Sequence, residues 1–335
     1  GTTLGADNGL GVATIMAILE SDTIAHPAIE ALFTIDEETG MTGAMGLKGG
    51  LLKGEILLNL DTEEDDEIGV GCAGGVDVTA VGSYKAEDRP EGTVIYNIST
   101  KGLNGGHSGM DIIKGLGNAN VMMTRLLYNG YENYGLRIIE IDGGGLRNAI
   151  PRESFAVVAI DEVHQEQFEE EMAAMAEAII KEYNTLEEDL EITFSTVQSK
   201  GSVMEIGIQE MMLKALYAAH NGVYRMSPDI DGLVETSNNI ARVEVKDGAI
   251  KIACLTRSSV ESGKMDLAYK LRSTFELAGL EVGFSGSYPG WTPNMDSSIL
   301  KVMKELYVRL NNEEPHVAAC HAGLECGILG TNYPD

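Results

Sequence analysis

The chain has 335 residues, room for about two domains at roughly 150 residues each, and a hydrophobic fraction of 44%, ordinary for a folded globular protein. With 24 basic against 52 acidic residues its formal net charge is −28. That argues against nucleic acid and anionic membrane surfaces as partners, since both call for Lys and Arg to neutralise phosphate. No apolar run reaches the roughly 18 residues of a membrane helix, and no basic segment with an apolar sequel opens the chain. The cysteines Cys72, Cys254, Cys320 and Cys326 form no C-x-x-C pair. In a chain of this length they read as thiols of a reducing cytoplasm, not as a disulfide framework. The start at Gly1 without Met and the end at Asp335 read as cut ends.

The first expected element is a helix over Gly9 to Leu19, with apolar residues at helical spacing and Ser21-Asp22 to end it. Ile29 to Ile35 and Ile56 to Leu60 are short apolar runs expected to be buried strands, and Ala44 to Leu52 a short helix. Strand, helix and strand in this order predict an α/β layer with a mostly parallel sheet. After Gly74-Gly75 the pattern alternates: strands are expected over 76–84, 94–100, 136–141, 155–160 and 190–196, with helices over 116–128 and 165–183. A helix near 204–219 follows, then a hairpin over 239–255 that turns at Lys246-Asp247-Gly248, since Asp-Gly is a strong turn signal. Helix 264–278 and a strand near Val282 complete an antiparallel α+β insert of two related halves, and from Tyr288 the chain returns to the first layer.

Three acidic clusters stand where apolar segments meet polar or Gly-rich breaks: Asp7, the pair Glu37-Glu38, and Asp61. In open α/β sheets ligands gather outside the carboxyl ends of strands. Carboxylates that converge there suit hard or borderline cations. Two adjacent glutamates permit a division of labour, one ligating a metal and the other acting as general base on a water. A third carboxylate such as Asp7 could bridge two ions about 3.5–4 Å apart. Phosphate-loop and dinucleotide signatures are missing, and Gly106-His107-Ser108-Gly109-Met110 lacks the last glycine of a nucleophile elbow.

The segments Thr3-Leu-Gly-Ala-Asp-Asn-Gly-Leu-Gly11, Thr34-Ile-Asp-Glu-Glu-Thr-Gly40 and Asn59-Leu-Asp-Thr-Glu-Glu64 resemble the metal-site segments of the M20 family of di-zinc metallopeptidases. Gly105-Gly-His-Ser-Gly109, Leu146-Arg-Asn-Ala-Ile-Pro151 and His321-Ala-Gly-Leu-Glu-Cys326 narrow the likeness to its aminoacyl-histidine dipeptidase branch, in matching order over nearly the whole chain. The resemblance implies a catalytic metal-binding domain, residues 1–75 and 288–335, truncated at both ends, and an inserted lid domain over 76–287. It implies two divalent metal ions, zinc first, with cobalt or manganese as alternatives. Asp7 would bridge the metals, and Glu38 and Asp61 would each ligate one. Glu37 would be the general base that deprotonates the bridging water and hands the proton to the leaving amine. Two further histidine ligands of the family lie outside the given residues: a His-x-Asp segment ahead of the bridging Asp, and a His near the C-terminus. His321 is not put in their place, because its context is a separate family segment. His107 on the lid would stabilise the oxyanion of the scissile carbonyl, Asn148 would bond the substrate backbone, and Arg257 would hold its C-terminal carboxylate. Glu325 would meet its amino group.

The expected function is metal-dependent hydrolysis of dipeptides, Xaa-His among them, with a homodimer as the expected assembly and a cytoplasmic location. An M20-type amidohydrolase acting on N-acyl amino acids would use the same residues. A metal-free homologue that only binds would have no need of Glu37 beside Glu38.

Overall fold

The computed structural model describes residues 7–62, 64–198 and 201–333, without the side chains of Glu38 and Thr39. The chain divides into two compact units, one formed by Gly1–Gly74 with Tyr288–Asp335 and the other by Gly75–Ser287.

In the first unit, helix Gly9–Glu20 is capped by Asn8, whose side-chain oxygen accepts from the Gly11 amide at 3.0 Å. That bond satisfies one of the orphan donors every helix start carries. Strands Glu67–Cys72 and His316–Cys320 pair in parallel, with Ile68 opposite Val317 and Cys72 opposite Cys320. A small core of Ala44, Ile328 and Leu329, joined by Leu32, Met41 and Leu47, packs the turns after Glu37 against helix Glu325–Asn332.

Two expected strands are corrected. Residues 29–35 and 56–60 are irregular, and Ile35, Ile56 and Leu58 are exposed. Apolar sequence alone does not make a strand, because a strand forms only where a neighbouring strand offers ladder partners for its backbone N–H and C=O groups. Among the described residues neither run is part of a ladder. The helix expected over 44–52 is also shorter, Thr42–Gly46, and helix Ser298–Asn311 was not anticipated.

The second unit is built on a nine-stranded sheet. Strand Thr93–Lys101, helix Ala119–Tyr134, strands Arg137–Gly144 and Ser154–Asp161, helix Gln165–Tyr183 and strand Glu191–Thr196 form one half. Across the sheet these strands run second, third, first, fourth. The other half takes strand Gly74–Ser83 as its first, then helix Ile206–Ala218, strands Val234–Lys246 and Ala249–Ser258, helix Glu261–Leu277 and strand Glu281–Tyr288. Its sheet order is again second, third, first, fourth, so the two related halves are present as topology. Strand Gly222–Met226 adds to the start of Val234–Lys246. The four helices share one core with the sheet, including Leu126, Phe168, Met212 and Leu271. Met122, Met123 and Met172 are buried in it, filling space as flexible apolar side chains do.

The halves join where the second strand of each pairs antiparallel, with Arg242 opposite Gly144 and Val245 opposite Ile141. Arg242 donates to Asp142 and, at 3.1 Å, to the Gly144 carbonyl. Gly144 has φ +72°, and a Cβ there would stand 1.9 Å from the Ala241 carbonyl oxygen. Gly144→Ala therefore faces both a left-handed backbone and a backbone overlap. The variant is expected to lose about 3 kcal/mol of stability, read as a lower urea midpoint. A midpoint equal to that of the unsubstituted protein would contradict the packing described.

Candidate active site

In the first unit, Asp7 is exposed just ahead of the Asn8 cap. Glu37 is half-buried and opens the short helical turn Glu37–Gly40. The turn is entered through Asp36 at φ 63°, whose side chain accepts from the Thr42 hydroxyl at 2.7 Å. The expected ligand side chain of Glu38 lies outside the described residues.

Asp61 is half-buried, and its amide donates to the Asn59 side chain at 3.0 Å. Glu325 begins helix Glu325–Asn332. One of its carboxylate oxygens, Oε2, accepts from the Thr34 hydroxyl at 2.8 Å. The other, Oε1, is buried and has no hydrogen-bond partner among the described residues. The Cys326 thiol links these groups electrostatically. Burial pushes its pKa up, a hydrogen bond with Asn59 pulls it down, and the charges of Glu325 and Asp61 push it up again. Asp61 and Glu325, remote in sequence, thus act on the same thiol.

The donor set expected for metal, Asp7, Glu38 and Asp61, consists of carboxylates, whose chemistry suits divalent cations. Among the described residues no three His, Cys, Asp or Glu side chains stand close enough to hold an ion.

In the second unit the sequence brings together residues far apart in the chain. Gly106-His107 forms a short ladder with Ala149-Ile150, which seats His107 opposite Ala149. The Ser108 amide donates to the Asn148 carbonyl at 2.7 Å. Asp111 accepts from the His107 amide at 2.7 Å. The His107 ring nitrogen Nδ1 faces the amides of Gly109 at 3.3 Å and Met110 at 3.1 Å. Both are donors, so Nδ1 is the acceptor and the neutral ring carries its proton on Nε2. Burial lowers the His107 pKa, the Arg257 charge lowers it further, and Asp111 opposes them. Together these effects favour a neutral imidazole that donates from Nε2.

Arg257 is 4% exposed, opposite Ser237 on the central hairpin. Its charge is felt by His107 and by Asp77. Burial raises the Asp77 pKa, against the pull of Arg147 and Arg257. The Asn148 side chain is exposed, but its backbone is held on both sides. Buried Asn239 donates from Nδ2 to the Arg147 carbonyl at 3.1 Å and to the Ala149 carbonyl at 2.8 Å. Arg147 pairs with Asp77 at 3.2 Å and donates to Thr79 at 2.6 Å and to the Cys254 carbonyl at 2.9 Å.

The sequence reading missed Asp77, Arg147 and Asn239 as parts of this arrangement. Only Asn239 left a signal, since Asn238-Asn239 adds two amides to the polar run Glu235-Thr236-Ser237 in a strand buried along most of its length. A polar pair at such a position needs built partners.

The family description "Peptidase dimerisation domain", of the M20 peptidases, matches residues 98–187. The cytosol non-specific dipeptidase of Escherichia coli (strain K12) is 40% identical over 335 residues, covering all of this chain and 69% of that protein. The crystal structure of aminoacylhistidine dipeptidase from Vibrio alginolyticus superposes with a TM-score of 0.94 at 42% identity, over the whole chain and 68% of that one.

Proposed function

The chain belongs to the M20 peptidase family, a family that implies divalent metal ions, and from that premise we propose that it is a dipeptidase of the aminoacyl-histidine branch. The observation that carries the reading is the meeting of His107 with Arg257, an imidazole set to donate from Nε2 within the field of a buried guanidinium. A dipeptide presents the matching groups, a scissile carbonyl oxygen and a free carboxylate one residue away.

In this reading Gly1–Gly74 with Tyr288–Asp335 is the catalytic domain and Gly75–Ser287 the lid. Asp7, Glu38 and Asp61 would hold two divalent ions, zinc first and cobalt or manganese as alternatives, which supply Lewis acidity and lower the pKa of water. Glu37 takes the proton of the attacking water on its carboxylate and delivers it to the departing amine nitrogen. His107 donates from Nε2 to the oxygen on which negative charge develops. Arg257 binds the substrate carboxylate through its planar fork, and Asn148 bonds the substrate backbone. Oε1 of Glu325, without a hydrogen-bond partner among the described residues, accepts from the substrate ammonium. The family's dimerisation domain supports a homodimer. Among the described residues no helix is long and apolar enough to cross a membrane, and the E. coli relative is named for the cytosol. A cytoplasmic location is proposed on that kinship.

The test is a panel of dipeptides, dipeptide amides and N-acyl amino acids, assayed on the full-length protein with and without a chelator. Dipeptides are expected to turn over and to stop with chelator. Amides are expected to react poorly, because they lack the carboxylate that Arg257 binds. Preferred turnover of N-acyl amino acids, or dipeptide turnover indifferent to chelator, would overturn the reading.

A further inference from the structure

The loop that carries His107 begins and ends on one carboxylate. Glu187 is 1% exposed. Its Oε2 accepts from the Asn104 amide at 2.6 Å, and its Oε1 accepts from the Gly117 amide at 2.7 Å. The Asn104 side chain adds a bond to the Leu186 carbonyl at 2.5 Å. Glu187 is itself fixed in the turn after helix Gln165–Tyr183: its amide donates to the Tyr183 carbonyl at 2.9 Å, and its carbonyl accepts from Leu190 at 3.2 Å. Between Asn104 and Gly117 lie His107, the Gly109 and Met110 amides that occupy its Nδ1, and Asp111.

We propose that Glu187 is a positioning residue for His107, a clasp that closes the base of the 104–117 loop and so holds the imidazole in its Nε2–H form. Each amide at the base needs an acceptor, and a buried amide without one is costly. A carboxylate supplies one oxygen to each. Glutamine has the same size but only one oxygen, so one of the two amides would face an NH2 donor. The loop must then shift at one end, and the ring with it. The activity arm of the test rests on the dipeptidase reading, whereas the clasp itself does not.

The experiment compares the full-length protein with Glu187→Gln by the ¹⁵N shifts of the His107 ring and by steady-state dipeptide kinetics. The unsubstituted ring is expected to show one acceptor-type and one N–H-type nitrogen. In Glu187→Gln the two signals should move toward averaged tautomers, and kcat should fall roughly ten- to a hundredfold with KM little changed. A folded Gln variant with unshifted ring signals and unchanged kcat would overturn the proposal. Shifted ring signals in proteins that turn over no dipeptide would uphold the clasp and remove the dipeptidase reading instead. Should the variant not fold, hydrogen exchange on the unsubstituted protein decides. The Asn104 and Gly117 amides are expected to be the slowest in their loop, and exchange at the rate of unprotected amides would refute the clasp.

Discussion

Glu37→Gln is expected to lower kcat for dipeptide hydrolysis by about 10²- to 10⁴-fold, the usual contribution of a positioned general base, with little change in KM. The substitution preserves size and hydrogen-bonding reach but removes the basic oxygen. Glu37 is half-buried at the head of a helical turn, and the core of Ala44, Ile328 and Leu329 lies beneath the segment that follows it. The amide should therefore be accommodated without unfolding. Metal content should remain that of the parent protein, since the proposed metal ligand is the neighbouring Glu38. Steady-state kinetics with metal analysis on the same samples reads both numbers. Full activity in the Gln variant would remove Glu37 as the base, and loss of metal together with activity would make it a ligand.

His107→Ala should cost about 10²- to 10³-fold in kcat, the scale of a lost oxyanion donor, again with KM little affected. His107→Gln can place an N–H near the former Nε2 and should recover part of the loss. The same residue leaves a mark on stability. Its folded-state pKa lies below the ordinary 6.5, so at mildly acidic pH the unfolded chain binds the proton first. Stability is then undiminished above pH 6.5 and falls as pH drops from 6.5 through the lowered folded value. That fall should be smaller in His107→Gln when urea midpoints are compared at neutral and mildly acidic pH. An identical pH dependence in both proteins would show that the imidazole is not held neutral by burial and Arg257.

Much of this was legible in the residues because it is local. Helix Gly9–Glu20 follows from apolar spacing and an Asn cap. The hairpin turns where Asp247 and Gly248 both adopt positive φ, as the Asp-Gly signal requires. The strands of the second unit follow from alternation, since a half-buried pleat has period two. The motif order, carried by short segments, marks the family in the sequence itself.

What sequence could not supply is whatever depends on which segments meet. Residues 29–35 and 56–60 have the composition of strands, yet they remain irregular because a strand is made by its neighbour, not by its own apolarity. Arg257 reads in isolation as a surface cation, but strand pairing buries it within reach of His107. Glu187 stands in Leu186-Glu187-Glu188-Asp189, where nothing separates it from its solvated neighbours except the fold, which turns this one carboxylate inward onto two amides. The chemistry available to this protein, its carboxylates, one lid imidazole and one guanidinium, was set by the residues themselves. The tautomer of that imidazole, its lowered pKa and the clasp beneath its loop were decided only in three dimensions. Burial and hydrogen-bond partners act over a few ångströms of space, however many residues of chain lie between them.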